Sequence, residues 1–207
     1  KYGKYLLNNR FSGQVKVEWD NFNFATLNPK NLIALVIFEN LNIKIPYLKH
    51  QIAVAEVEIK VSDYELFSSI RGSIDGNPLN GSFKKVFIED VAATLNLTGG
   101  INIENFLSYF SREITFSGDG IVAFKANIIF PPDQNTIIRF NGDLTNTNLE
   151  CESLGFKKEK YQFGMLNFGW TDDQPTNFNF ISGNYEFNGF IFYNDEENIE
   201  LEFSKVK

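Results

Sequence analysis

Few side chains in this sequence can accept, donate or attack at neutral pH. His50 is the single histidine, so an imidazole relay has no second member, and a packed or solvated histidine is the better reading. Cys151 is the single cysteine. It lies between Glu150 and Glu152, whose negative charge disfavours a reactive, nucleophilic thiolate. One cysteine also excludes an internal disulfide, and with it a disulfide-stapled scaffold. Carboxylates gather at Asp172-Asp173 and Asp195-Glu196-Glu197. A calcium loop would need alternating oxygen ligands and a closing glutamate at fixed offsets, so these read as solvated turn charge. Paired carboxylates on a β scaffold hydrolyse glycosides only at separations of roughly 5 to 10 Å, a distance that sequence does not fix. No cysteine, histidine or carboxylate grouping has metal-ligand spacing, and neither a nucleophile elbow nor a phosphate-binding glycine loop occurs. The expectation is a chain with no catalytic residue, no metal and no cofactor.

The remaining chemistry is recognition. Trp19, Trp170, Phe178, Phe180 and Tyr185 could stack on sugars or bases, although aromatic residues at alternating positions more often form core. Net charge is −7, and the basic residues are scattered among acidic ones, which argues against nucleic acid because phosphate neutralisation needs clustered positive charge. The Asn80-Gly81-Ser82 and Asn96-Leu97-Thr98 sequons are what chance supplies in an asparagine-rich chain. Hydrophobic residues make up 43% and charged residues 22% of the 207, ordinary values for a chain that folds in water. No run approaches the roughly 18 to 20 apolar residues that a spanning helix needs.

Period-two alternation dominates the elements that would position these groups. Val15, Val17 and Trp19 alternate with Lys16 and Glu18, and Leu41, Ile43 and Ile45 alternate with Asn42 and Lys44 up to Pro46, so both segments read as half-buried strands. Between Gln51 and Val61 the apolar set changes phase, from Ile52 and Val54 to Val57, Ile59 and Val61, which places a bulge near Ala55. Ile33 to Phe38, Ile121 to Phe130, Ile137 to Phe140 and Phe187 to Tyr193 carry apolar residues on both faces. Such strands call for cover twice, from a second protein layer, a bound apolar molecule or a partner.

Glycine dipeptides such as Asp75-Gly76, Asn80-Gly81, Gly99-Gly100, Asp119-Gly120, Asn141-Gly142 and Ser182-Gly183 read as turns, and Asn188-Gly189 reads as a turn or a bulge. Residues 131–135 and 171–176 read as hairpin connections. A capping box at Ser62 and Glu65, with Val61 and Leu66 as staple, predicts one short helix. A second is predicted from Asn102 as N-cap through Ile103, Phe106, Leu107 and Phe110. The two helix, strand and glycine-turn successions look like a weak internal repeat. The fold class expected is mainly β: a long curved antiparallel sheet, as an open groove or partly closed barrel, with one or two short helices, in a single domain over 1–207.

The succession from Phe38-Glu39-Asn40-Leu41-Asn42-Ile43-Lys44-Ile45-Pro46, through Val57-Glu58-Ile59-Lys60-Val61-Ser62, to Ile70-Arg71-Gly72-Ser73-Ile74-Asp75-Gly76 and Asn80-Gly81-Ser82-Phe83 resembles the periplasmic part of type II secretion system protein N. The likeness spans most of the chain, including Gly118-Asp119-Gly120 and the run from Asn141-Gly142-Asp143-Leu144 to Leu149. That family is similar to the AsmA-like proteins. The resemblance implies a non-enzymatic accessory component of a bacterial secretion system or cell envelope, with secretion or envelope proteins as partners. It also implies a periplasmic location and inner-membrane anchoring through a segment outside this sequence. AsmA-like relatives imply an apolar groove able to hold lipid acyl chains, for which Val57, Ile59, Val61, Ile121, Ala123, Ile138 and Phe140 are the candidate lining residues. Two other readings stay open: a carbohydrate-binding β domain, from the aromatic and carboxylate content, and a surface adhesin module.

Overall fold

The computed structural model describes residues 13–23, 28–43, 52–62, 64–107, 116–171, 176–193 and 199–206. Ile45, Pro46, His50, Phe110 and the clusters Asp172-Asp173 and Asp195-Glu196-Glu197 lie outside them. The fold is mainly β, one large antiparallel sheet that does not close on itself, so it is not a barrel. By its internal contacts the chain divides into two compact units, the first comprising 1–99 and 128–135 and the second 100–127 and 136–207.

The first unit is built on β1 (Gly13–Asn23), β2 (Asn28–Ile43), β3 (Ile52–Val61), β4 (Glu65–Ile74), β5 (Asn77–Val86) and β6 (Ala93–Asn102, whose last three residues belong to the second unit), hydrogen-bonded in that order. Between Val54 and Glu56 the pairing of β3 with β4 slips by one residue, because Ala55 has no partner. The bulge anticipated near Ala55 is therefore real, and its effect follows from the pleat. Without the extra residue, Val54 and Val57 would point to opposite sides; with it, Ile52, Val54, Val57, Ile59 and Val61 all project to the same side. Gly72, opposite Val54, is where β3 presses closest on β4. A Cβ there would enter the Ala53 carbonyl oxygen.

Ser62 does not start a helix. Its Oγ accepts the Glu65 amide at 3.2 Å and the Tyr64 amide at 3.3 Å, which is the capping contact the sequence suggested. The Ser62 amide, however, donates to the Glu65 carbonyl at 2.9 Å, and the chain reverses straight into β4. The same hydroxyl geometry serves a turn as well as a helix. The period-two run Leu66, Ser68, Ile70 then decides for a strand, and Val61 and Leu66 meet as cross-strand partners. The proposed repeat thereby loses one of its helices.

The second unit contains α1 (Ile103–Leu107), β7 (Ser117–Phe130, whose last residues belong to the first unit), β8 (Ile137–Asp143), β9 (Thr147–Cys151), β10 (Phe156–Lys158), β11 (Met165–Thr171), β12 (Thr176–Ser182), β13 (Tyr185–Tyr193) and β14 (Ile199–Val206). Strands β8, β11, β12, β13 and β14 follow one another in the sheet, while β9 pairs with the start of β7 and with β10. Residues 131–135 lie between β7 and β8, as expected of a connection; 172–175, between the antiparallel partners β11 and β12, lie outside the described residues. The helix predicted after Asn102 is present as α1.

Most of the glycine dipeptides are not turns. Asp75 (φ 50°) and Gly76 (φ 80°) make a two-residue hairpin between Ile74 and Asn77, and Gly183 sits in the β12–β13 turn. Asn80-Gly81, Gly99-Gly100, Asp119-Gly120 and Asn141-Gly142 lie inside β5, β6, β7 and β8, and Asn188-Gly189 marks a register shift in β13. Glycine inside a strand lets a neighbour approach where a side chain would intrude. Gly81, Gly118 and Gly142 each face an atom that an added Cβ would crowd.

Replacing Gly72 by alanine is expected to lower unfolding free energy by about 1–3 kcal/mol, since the strand must shift away from the bulge. Chemical denaturation of G72A against the parent chain measures this, and equal midpoints would refute the close approach.

Candidate apolar face and buried lysine

Period two and the Ala55 bulge together lay out the first unit row by row. Val15, Val36, Val57, Ile70, Gly81 and Leu97 are successive cross-strand partners from β1 to β6. Val17, Ala34, Ile59, Ser68, Phe83 and Leu95 form the adjacent row in the same register. Directly opposed side chains share a face, so both rows lie on one side of the sheet. The reverse side mixes ion pairs with apolar residues such as Ile33, Ile37 and Phe67: Glu58 meets Lys60 at 3.0 Å, Glu56 meets Arg71 at 3.5 Å and Glu65 meets Lys84 at 2.8 Å. Lys60 beside Glu58 holds that carboxyl below the usual carboxylate range, first by its hydrogen bond and then by its charge. At its β1 end the apolar side stands open, with Val15 66% and Val17 40% exposed.

The candidate groove residues do not form one surface. Val57, Ile59 and Val61 share the apolar side of β3. In the second unit, Phe140 stacks on Phe168 at 4.5 Å and on Phe124 at 5.5 Å, which puts Ile138 and Phe140 on the side of β7 where Val122 and Phe124 are buried. Ile121 and Ala123 alternate with Val122 and Phe124 and face the other way, Ile121 being 43% exposed. Choosing residues by size and branching mixed two parities, and a strand separates parities onto opposite faces. At three of these strands the chain itself leaves one side open: Ile33 is 40%, Ile121 43% and Phe190 41% exposed. On β2 the long side chains of neighbouring strands flank that side: Ile33 is opposed by Glu18 and Lys60, and Leu35 by Lys16 and Glu58, so aliphatic stems shield it in part.

Cover exists on the other face of the second unit, where the ribbon of β9 and β10 supplies it. Phe156 of β10 meets Tyr185, Phe180 and Phe187 edge-on at 5.0, 5.3 and 5.4 Å. Cys151, Thr147, Leu149 and Lys158 are buried with it. Alternation along Phe156-Lys157-Lys158 places Lys158 in phase with Phe156, and this parity was the sequence signal for a buried lysine that charge alone concealed.

Lys158 is 1% exposed, and its Nζ donates to the Thr147 carbonyl at 2.8 Å and the Glu159 carbonyl at 3.3 Å. Loss of water lowers its pKa, against the smaller opposing pull of Asp143. Asp143 itself is held below the usual carboxylate range by hydrogen bonds from Thr145, one of them the amide at 2.8 Å. Gly164 gives the lysine stem its passage, since a Cβ there would lie 2.5 Å from Lys158 Cε and 3.1 Å from Leu144 Cβ. Held by main-chain oxygens inside a packed layer, this amine anchors the ribbon.

The outer side of the same ribbon forms an open recess of about 620 Å³ lined by Ser117, Asp119, Asn148, Glu150, Lys157 and Glu159, among others. Its polar groups engage one another. Asn148 donates to Asp119 at 2.8 Å, the Lys160 amide donates to Asn148 at 2.8 Å, and Lys157 pairs with Glu159 at 3.8 Å. Among the described residues no group of three or more histidine, cysteine or carboxylate side chains could hold a metal ion, and no helix is long and apolar enough to cross a membrane. Phe178 and Phe180, read as possible stacking platforms, are buried core, and Tyr185 packs on Phe156.

The unfolded chain binds the Lys158 proton more tightly than the folded one. The cost of burying the charge therefore stands in full below the folded pKa. It is relieved as pH rises through that value towards about 10.4, the ordinary lysine pKa. Stability of the parent chain relative to K158M is expected to climb over that alkaline range, read from urea midpoints; a constant difference would mean the amine is not buried as a cation. A second measurement tests the packing: G164A is destabilising in the parent, and the G164A/K158A cycle should show coupling of about 0.5–3 kcal/mol. No protein-family model, curated protein or solved structure matches this chain.

Proposed function

We propose that this chain is a non-catalytic accessory component of a bacterial type II secretion system or cell envelope. It works through protein contacts and holds an acyl chain or similar apolar partner against the apolar side of the first unit. One observation carries the reading. Two rows, apolar except at Ser68, run without a charged residue from Val15 and Val17 to Leu97 and Leu95, and their β1 end is open to water. Apolar surface left in water costs about 25 cal/mol per Å², which an elongated hydrocarbon chain laid over the rows would recover. The likeness to type II secretion system protein N and to AsmA-like domains, drawn from the strand and glycine pattern, supplies the envelope setting. A periplasmic location and an anchor outside this sequence belong to the same proposal.

Native mass spectrometry of the chain purified from a bacterial envelope fraction without denaturant is expected to show lipid-mass adducts. Val15 and Val17 are exposed, so a V15K/V17K variant should fold normally while losing about tenfold or more in adduct occupancy. A parent chain that carries neither lipid nor an envelope protein would overturn the proposal.

A further inference from the structure

The side of β8, β11, β12 and β13 turned away from the phenylalanine layer carries a row of amides. Asn141, Asn167, Asn179 and Asn188 are direct partners across these strands. They are joined in one sense. Asn141 Nδ2 donates to Asn167 Oδ1, Asn167 Nδ2 to Asn179 Oδ1 at 3.4 Å, Asn179 Nδ2 to Asn188 Oδ1 at 2.7 Å, and Asn188 Nδ2 to Glu186 Oε1 at 3.0 Å. A carboxamide has two N–H donors and two lone-pair sites. Asn141, Asn167 and Asn179 each spend one N–H on the row, and Asn167 and Asn179 also spend one lone pair, so each keeps a donor and an acceptor for the solvent side. The Glu186 carboxylate at the end polarises the chain of amides and fixes its direction.

The next row on the same side is Arg139, Gly169, Asn177 and Phe190. Gly169 has no side chain, and Asn177 Oδ1 reaches to 3.1 Å from where a Cβ would stand; Arg139 and Asn177 are exposed, Phe190 is 41% exposed, and there the register passes on to Glu202 of β14.

We infer that this side of the second unit binds an extended, neutral, β-linked polysaccharide laid across the strands. Sugar hydroxyls both donate and accept, and the amides repeat as donor–acceptor pairs at the strand spacing of about 4.8 Å, close to one ring along an extended glycan. Phe190 offers an apolar plane to a ring face beside the polar row. A hydrocarbon chain would leave the amides' remaining donors and acceptors without partners, and a nucleic acid would meet Arg139, Lys125 and, by register, Lys205 as scattered cations in a chain of net charge −7, with no basic stripe for its phosphates. The surface is separate from the apolar rows of the first unit and serves a different ligand.

Titration calorimetry of the whole chain with a β-1,4-glucose hexasaccharide, a β-1,4-N-acetylglucosamine hexasaccharide and an α-linked maltohexaose tests it. At least one β-linked sugar is expected to bind and the α-linked one is not, because its coiled backbone leaves the row. F190A and N177A should each weaken binding about five- to tenfold. N177A lies outside the amide row, so its melting temperature should match the parent and it carries the test if F190A alters folding. No binding of either β-linked sugar at millimolar concentration overturns the inference, as does equal binding of maltohexaose or parental affinity in both variants. V15K/V17K should bind the sugars normally, which keeps a failure here distinct from a failure of the acyl-chain reading.

Discussion

Everything in the first unit depends on the two-residue period of a strand and the single residue that interrupts it. A side chain on β3 points to one side or the other according to its position in the count, so an apolar set that changes phase would straddle the sheet. Ala55, unpaired against β4, resets the count. The aliphatic residues before and after it then fall on one side, and the charged residues Glu56, Glu58 and Lys60 fall on the other. Strands β1 to β6 are registered to β3 directly or through a neighbour, so this one extra residue brings Ile52 and Val54 onto the side that the rows through Val57 and Ile59 share across all of them. Gly72 is the counterpart on β4, because the bulged strand leaves no room there for a Cβ.

The second unit meets the same demand differently. Its phenylalanine side is too apolar to face water, and the short ribbon of β9 and β10 folds back over part of it, with Phe156 at the centre of three edge-on ring contacts. The ribbon carries Lys158 inward. A buried cation is a costly element, offset here by two carbonyl acceptors and by a glycine that makes space for its stem. The opposite side of the unit is wholly different in character, since its amides bond to one another in a line that ends on a carboxylate. Two chemically unlike surfaces thus arise from one alternation, Asn177-Phe178-Asn179-Phe180, in which every second residue belongs to each.

The unusual features of both units are extended rows, apolar in the first and amide in the second. Rows suit long ligands, and an acyl chain and a glycan chain are both of that kind.

The sequence by itself determined the strand class, the bulge at Ala55, the helix after Asn102 and the connection at 131–135, because period, phase and local caps are properties of neighbouring residues. It read Ser62 correctly as a capping hydroxyl and wrongly as a helix start, since the local contact is common to both and the choice rests on pairing with β3. It read most asparagine–glycine and aspartate–glycine pairs as turns, when long-range pairing keeps them in strands and uses the glycine for close approach. Which residues share a surface was decided by the tertiary structure: Ile121 and Ala123 parted from Ile138 and Phe140, and Lys158 went inside, because the side to which a residue points has meaning only once strand register fixes what lies on that side.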